Sequence, residues 1–304
     1  MVTTTARLNR ATLATTLVLV GIGGFTRGSG SGYGCADRWP LCENGALGGL
    51  LPRWEYHMVV EWVHRWTAAV VGVLAVALLI SAWRHYRHRP IVVRLAAAAL
   101  AVIIIQALIG RSVVKTDLDT DLVALHLAVS MVVVALLTLI AVALTPRRDK
   151  ARTAAVDRVW TIRLGVATGG SYVLLLLGAY VHNRYYSGWP LVSNTLVPDL
   201  SDRYIVVHWL HRAVAGAGIF YLGWLLVIAR RLERPDGEQS LLLVATGAYG
   251  LNVGLGAVHV FTEVTSDAVI TAHLLASTVV WTALVAATAL SRTGVAIPSG
   301  RIEP

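Results

Sequence analysis

Residues 61–72 read EWVHRWTAAVVG, and residues 208–218 repeat this pattern as HWLHRAVAGAG. Three further pairs of segments recur in the same order along the chain: RWPL (38–41) with GWPL (188–191), QALIG (106–110) with NVGLG (252–256), and VALHLAVSMVV (123–133) with ITAHLLASTVV (270–280). Agreement of four segment pairs in one order is typical of an internal duplication. We therefore expect two copies of one structural unit in tandem.

Long apolar segments make up both copies. The chain has 304 residues, of which 56% are hydrophobic and 14% are charged. Eight stretches with few or no charged residues are long enough, at about 1.5 Å per helical residue, to cross the roughly 30 Å of hydrocarbon in a bilayer. These stretches are 11–26, 57–83, 91–113, 122–145, 159–182, 204–229, 240–262 and 268–290. The predicted fold class is an all-α integral membrane protein, with eight transmembrane helices arranged as two tandem pseudo-symmetric four-helix bundles.

The duplication divides the chain into an N-terminal half, residues 1–150, and a C-terminal half, residues 151–304. Lys and Arg are concentrated in three connections, 84–89, 147–158 and 230–234. The positive-inside rule places these connections in the cytoplasm, together with both termini, so that the loops 27–56 and 183–203 lie outside. The net charge of +9 therefore reflects membrane topology, and we expect no nucleic-acid partner.

Four histidines occupy matching positions in the two halves. His64 and His126 are 62 residues apart, and His211 and His273 are also 62 residues apart. All four lie on even-numbered spans, at a depth of roughly 7–12 Å below the external surface. A single intramembrane histidine is typical of an interhelical hydrogen bond, but four at matched spacing and depth favour bis-histidine ligation of haem iron, with one site in each half. Zinc is disfavoured because it would need more than two ligands in each half.

The halves differ at one ionisable position beside these histidines. Glu61 lies three residues before His64, whereas the corresponding residue before His211 is His208. Two interpretations of Glu61 are open: an intrahelical ion pair with Arg65 at i, i+4, or a role in proton transfer or substrate contact. A carboxylate near only one site indicates that the two sites have different roles.

Arg65 and Arg212 directly follow the first histidine of their halves. An arginine in a membrane helix is unfavourable unless it is paired or reaches the interface. A haem propionate is one candidate partner for each arginine. A carboxylate pair, or a side chain that extends to the interface, is the other interpretation.

The only cysteines, Cys35 and Cys42, lie in the segment GCADRWPLC (34–42) of the first external loop. An oxidising external location predicts a disulfide, which would stabilise so short a loop by about 2–3 kcal/mol. The spacing matches neither a CxxC redox motif nor a zinc ribbon. Two roles are open: a structural staple for a glycine-rich loop, or a reducible disulfide at a substrate entrance above the first-half site.

The motifs of the two halves form a set that covers all eight spans. They are GGFTRGSGSG (23–32), CADRWPLC (35–42), ExxHR (61–65), QALIGRSVV (106–114) with His126, GAY (178–180), GWPL (188–191), His211 with Arg212, and NVGLG (252–256) with His273. This set resembles the haem A synthase family, in the bacterial form with a cysteine pair in the first external loop. The resemblance implies a haem O monooxygenase that oxidises one ring methyl to a formyl group, giving haem A for haem-copper terminal oxidases.

The resemblance also implies a role for each candidate residue. His211 and His273 would ligate the iron of a resident haem b cofactor, while His64 and His126 would form the pocket for the substrate haem O. Glu61 would be the catalytic carboxylate near the reacting methyl group. Family accounts give the cysteine pair a part in haem handling or electron delivery.

His208 departs from the family pattern, in which a non-ionisable polar residue is more usual at this position. An imidazole three residues before His211 leaves two candidate ligands on one helix. We favour His211, because only His211 keeps the 62-residue spacing to His273 and is followed by an arginine.

The expected location is the bacterial cell membrane, which the chain crosses several times. Haem O and haem A would be bound there, and haem O synthase and assembly factors of haem-copper oxidases are candidate partners; the electron donor stays open. The main alternative function is a diheme membrane cytochrome b that transfers electrons, for example from quinol. A transporter built from two repeats is disfavoured, because its broken helices would place Pro within the spans and the predicted spans contain none.

Overall fold

The computed structural model describes residues 3–145, 157–181 and 187–293. Within them, all eight predicted spans are α-helices long and apolar enough to cross a membrane, so the prediction of a multi-pass all-α membrane protein is confirmed. The helices are α1 (Thr4–Gly28), α2 (Tyr56–Tyr86), α3 (Pro90–Lys115), α4 (Thr120–Leu144), α5 (Arg158–Val181), α6 (Arg203–Arg231), α7 (Asp236–Phe261) and α8 (Asp267–Thr293).

Capping residues explain where several helices begin. The side chain of Thr3 accepts a hydrogen bond from the amide of Ala6 at the start of α1, and Asp119 and Asp202 cap α4 and α6 in the same way. Pro90 is the first residue of α3, a position where its missing N–H leaves no helical hydrogen bond unmade. Helix α1 therefore begins seven residues before the predicted apolar span, because its first turns extend beyond the hydrocarbon.

The helices of each half pack in the same cycle. In the first half, α1 contacts α2, α2 contacts α3, α3 contacts α4, and α4 returns to α1; α5 to α8 repeat this order. Helices α1, α4, α5 and α8 form the junction between the halves. This neighbour pattern supports two four-helix bundles, while the predicted domain boundary at residues 150 and 151 lies outside the described part of the chain.

Hydrogen bonds between helix ends define the two ends of the molecule. Thr5 at the start of α1 bonds Ser81 near the end of α2 at 2.8 Å, and Ser291 near the end of α8 bonds Thr161 near the start of α5 at 3.1 Å. We call this end, which carries the start of α1 and the end of α8, the terminal end. The opposite end carries the described loops 29–55 and 187–202, and we call it the loop end.

The fully buried apolar side chains of both halves cluster toward the terminal end. In the first half this cluster includes Leu78, Leu137 and Ile140, and in the second half it includes Trp160 and Leu284. Apolar packing therefore stabilises each bundle chiefly near the terminal end. The histidines lie in the part nearer the loop end.

Candidate functional site

The four predicted ligand histidines lie on α2, α4, α6 and α8, toward the loop end of each helix. His64 and His126 are close enough for their imidazoles to interact electrostatically, so the structure brings the first-half pair together. His211 and His273 lie on α6 and α8, the helices that correspond to α2 and α4 in the repeat. Each half therefore presents two imidazoles from two different helices.

Each of these imidazoles packs against a glycine of the helix that precedes it in the chain. The distance from the imidazole Cε1 atom to the position that a Cβ would occupy is 3.2 Å for His64 at Gly23, 3.0 Å for His126 at Gly110, 3.0 Å for His211 at Gly178 and 3.5 Å for His273 at Gly256. Three of these distances are shorter than an ordinary contact between carbon atoms. Sequence reasoning missed this role, although Gly110 and Gly256 end the repeated segments QALIG and NVGLG.

Hydrogen bonds fix the helix turn that carries His126. Its backbone carbonyl accepts hydrogen bonds from Ser130 Oγ at 2.8 Å and from Gln106 Nε2 at 2.8 Å. Gln106 Nε2 also lies 2.6 Å from Ser130 Oγ. Gln106 is on α3, so these contacts set the register of α4 against its neighbour.

The second half repeats this arrangement with different side chains. Ser277 Oγ donates to the carbonyl of His273 at 2.9 Å, and Asn252 Nδ2 on α7 donates to Ser277 Oγ at 2.7 Å. The amide, the serine and the histidine thus occupy equivalent positions in both halves. The internal duplication read from the sequence extends to the hydrogen bonds that hold the candidate ligands.

The surroundings of the imidazoles fit axial ligands of a haem. Nδ1 of His64 and Nδ1 of His126 are buried, and neither atom forms a hydrogen bond with another described residue. Buried polar atoms without partners are uncommon. Among the described residues, no cluster of three or more His, Cys, Asp or Glu side chains could hold a metal ion. Paired imidazoles therefore suit haem iron better than zinc.

Glu61 lies near the loop end of α2 and is only 3% exposed. Its Oε1 accepts hydrogen bonds from Arg65 Nε at 2.9 Å and from Arg65 Nη2. Its Oε2 accepts a hydrogen bond from the backbone N–H of Cys35 at 2.7 Å. The intrahelical pair that the sequence left open is present, and the contact with the cysteine loop is a feature that the sequence did not predict.

Arg65 and Arg212 hold the loops at the loop end in both halves. Arg65 Nη1 donates to the backbone carbonyl of Arg38 at 2.7 Å and to that of Leu41 at 3.1 Å. Arg212 Nη1 donates to the carbonyls of Gly188 and Leu191, the latter at 3.2 Å. These acceptors belong to the repeated segments RWPL and GWPL. The predicted contacts with haem propionates stay a prediction.

Cys35 and Cys42 form the predicted disulfide, and both residues are buried. The loop packs tightly on the start of α2, because a Cβ at Gly34 would overlap the backbone carbonyl of His57. Ser31 Oγ and His57 Nδ1 form a further hydrogen bond of 2.9 Å between the loop and α2. The disulfide therefore closes a loop that lies directly against the helix carrying Glu61.

One histidine lies closer to the site than the sequence indicated. His259 packs edge to face against His273, with ring centroids 5.3 Å apart and an interplanar angle of 67°. It lies three residues after Gly256 on α7, and so on the same helix face. That spacing could have identified it as a neighbour of the site.

The chain is similar to known proteins over most of its length. A family model described as cytochrome oxidase assembly protein (COX15-CtaA) matches residues 6–285. The protein named heme A synthase of Symbiobacterium thermophilum is 30% identical over 278 residues, which cover 86% of this chain and 89% of the relative. The heme A synthase of Shouchella clausii is 31% identical over 266 residues, covering 85% and 86% of the two chains. That of Bacillus licheniformis is 28% identical over 238 residues, or 75% of each chain.

Proposed function

The chain belongs to the COX15-CtaA family of cytochrome oxidase assembly proteins, and we propose from this premise that it is a haem A synthase. It is a membrane enzyme that oxidises a ring methyl group of haem O to the formyl group of haem A. The haem A supplies terminal oxidases of the haem-copper type. The observation that carries this function is the pair of histidines in each half, with a buried carboxylate beside only one pair.

The two pairs have different roles in this proposal. His64 and His126 would hold the iron of the substrate haem O in the first half, and His211 and His273 would hold that of a resident haem b in the second half. The resident haem would supply electron transfer to the reaction. The difference at Glu61 and His208 supports the division, because a carboxylate can serve proton transfer at the oxidised methyl group only where it is present.

Glu61 is the catalytic residue in this proposal. It lies three residues before His64, on the same face of α2, and therefore toward the substrate bound by that ligand. Cys35 N–H and the Arg65 guanidinium hold its two oxygens in place. A carboxylate fixed in this way can hold or move a proton beside the reacting methyl while its own position stays constant.

The loop end carries the remaining proposed contacts. Arg65 and Arg212 bind haem propionates there, because both guanidinium groups lie where the polar edge of a haem would meet the loops. The Cys35–Cys42 disulfide either shapes the substrate entrance or takes part in electron delivery. The protein lies in the bacterial cell membrane with both termini in the cytoplasm, and it works with haem O synthase and oxidase assembly factors.

The function is tested by the haems that the protein contains. We would express the chain with haem O synthase, extract the pigments from the purified protein, and separate haems B, O and A by chromatography. Haem A together with haem B is the expected result. Two equivalents of haem B without haem A would instead identify a diheme cytochrome b.

A further inference from the structure

The close contact between each candidate ligand and a glycine has a direct steric consequence. Carbon atoms in ordinary contact are about 3.5–4.0 Å apart. A Cβ at Gly110 or Gly178 would lie 3.0 Å from the Cε1 atom of the neighbouring imidazole, so that ring would have to move by a few tenths of an ångström. At Gly23 the distance is 3.2 Å, and the required movement is smaller.

The ring can make this movement only by turning. The helix backbone behind His126 is held by Gln106 and Ser130, so the strain is relieved by rotation of the side chain about χ1 or χ2. Such a rotation changes the direction of Nε2, the atom that can reach an iron. Functional sites need their groups held within about 0.5 Å of the productive position, and a movement of a few tenths of an ångström takes up a large part of that tolerance.

We propose that Gly23, Gly110 and Gly178 are positioning residues that set the orientation of the imidazoles of their neighbouring histidines. The proposal rests on the haem ligation proposed above. The absent side chain lets the Cε1 edge of the ring lie against the backbone of the preceding helix, which fixes the tilt of the ring. Gly256 is the exception within the same repeat, because a Cβ there would lie at an ordinary 3.5 Å from His273.

Helix α5 offers a matched pair of glycines for the test. Gly178 contacts His211, whereas a Cβ at Gly170 on the same helix would have no neighbour within 4 Å. Both changes to alanine raise helix propensity by a similar amount, about 1 kcal/mol. A difference in haem binding between the Gly178→Ala and Gly170→Ala variants therefore reports the contact of residue 178 with the imidazole and not the change in helix propensity.

The measurements use the haem b of the purified protein. We expect Gly178→Ala to transfer haem to apomyoglobin about 10- to 100-fold faster than the unchanged protein, the range found for residues that orient metal ligands. Its low-spin ferric signal in electron paramagnetic resonance should also shift, because that signal depends on the orientation of the axial imidazoles. Gly170→Ala and Gly256→Ala should match the unchanged protein in both measurements.

Two results would overturn the proposal. One is an unchanged haem transfer rate and resonance signal in Gly178→Ala, and the other is an equal effect of Gly256→Ala and Gly178→Ala. His211→Ala is measured in the same series. If that variant loses haem b while Gly178→Ala is unchanged, the glycine proposal alone fails; if it keeps haem b, the ligand assignment of the proposed function fails.

Gly110→Ala tests the proposal in the other half with an internal control for folding. The resident haem b spectrum reports that the protein is folded, and titration with haem O then measures the first-half site. We expect a normal haem b spectrum and about 10- to 100-fold weaker binding of haem O. Unchanged haem O binding by this variant would contradict the proposal.

Discussion

At the scale of single residues, the catalytic role proposed for Glu61 depends on the ability of its carboxyl group to exchange a proton. Glutamine in its place keeps the size of the side chain and one acceptor oxygen, so it can accept a hydrogen bond from either Arg65 or Cys35 but not from both, and it cannot exchange a proton at neutral pH. We expect Glu61→Gln to lower the rate of haem A formation by about 100- to 10,000-fold, the usual contribution of general acid–base catalysis. The absorption spectrum of haem b should stay unchanged. Pigment extraction and visible spectroscopy measure both quantities.

The control for this prediction is Glu43→Gln. Glu43 is an exposed carboxylate just after Cys42 in the same external loop, so its loss changes the charge of the loop without touching the proposed site. This variant should make haem A at the normal rate. Normal haem A production by Glu61→Gln would contradict the catalytic role of Glu61.

The sequence predicted contacts between residues that are close together on one helix. It did not predict contacts between residues that are far apart in the chain. The pair of Glu61 and Arg65 follows from the i, i+4 spacing on one helix. The hydrogen bond from Cys35 N–H to Glu61 joins residues 26 positions apart, and no periodicity specifies which backbone amide of a loop will face a given side chain. The contact of His126 with Gly110 depends on the relative register of two helices to within an ångström, which the hydrophobic pattern does not fix.

At the scale of elements, each external loop is held by the arginine that follows the first histidine of its half. We expect Arg65→Lys to loosen residues 33–53, because lysine keeps the charge but cannot donate to Glu61 and to two loop carbonyls from a planar fork. Faster amide hydrogen exchange in this segment, measured by mass spectrometry, is the expected result. The disulfide should remain formed, since it does not depend on the arginine.

Arg212→Lys is the reciprocal control. It should raise hydrogen exchange in residues 187–196 and leave residues 33–53 unchanged, because Arg212 donates to the carbonyls of Gly188 and Leu191 in its own loop. If either variant loosened both loops equally, the arginines would act on the whole protein and not on individual loops.

A buried ion pair between Arg234 and Glu238 lies at the start of α7 at the terminal end, and Glu238 also accepts a hydrogen bond from α5. Glu238 is 1% exposed and accepts hydrogen bonds from Trp160 Nε1 at 2.7 Å and from Arg234 Nε at 3.1 Å. Removing one partner of a buried pair leaves the other charge without compensation, which costs about 3–5 kcal/mol. We expect Glu238→Ala to lower the thermal unfolding temperature in detergent, whereas Glu233→Ala, an exposed neighbour, should leave it unchanged. Equal unfolding temperatures for the two variants would contradict this role.

The existence of the helices was predictable from the sequence, but their ends were not. Eight apolar stretches identified eight helices, because a lipid-exposed backbone must satisfy its hydrogen bonds within the helix. The apolar stretch ends where the hydrocarbon ends, however, while a helix continues until a cap or a proline stops it. The first helix therefore starts at Thr4, next to its cap at Thr3, and not at residue 11.

At the scale of the whole molecule, the two halves meet through α1, α4, α5 and α8. Trp281 Nε1 on α8 donates to the carbonyl of Met131 on α4 at 2.8 Å, and Tyr172 on α5 donates to the carbonyl of Ala128 on α4 at 3.1 Å. His126 is two residues before Ala128, so the junction between the halves lies close to this proposed ligand.

The two sites should nevertheless fill independently, because each pair of histidines and its glycines belong to the helices of one half. We expect His64→Ala and His126→Ala to keep the haem b spectrum and to lose binding of haem O, measured by titration. His211→Ala and His273→Ala should lose haem b, and the loss should be visible in the pigment extract as an absence of haem B. Loss of haem b in His64→Ala would mean that the first-half residues hold the resident haem, and the roles of the halves would then be reversed. Because Glu61 would in that case lie beside the resident haem, the Glu61→Gln variant of the same series would show a changed haem b spectrum.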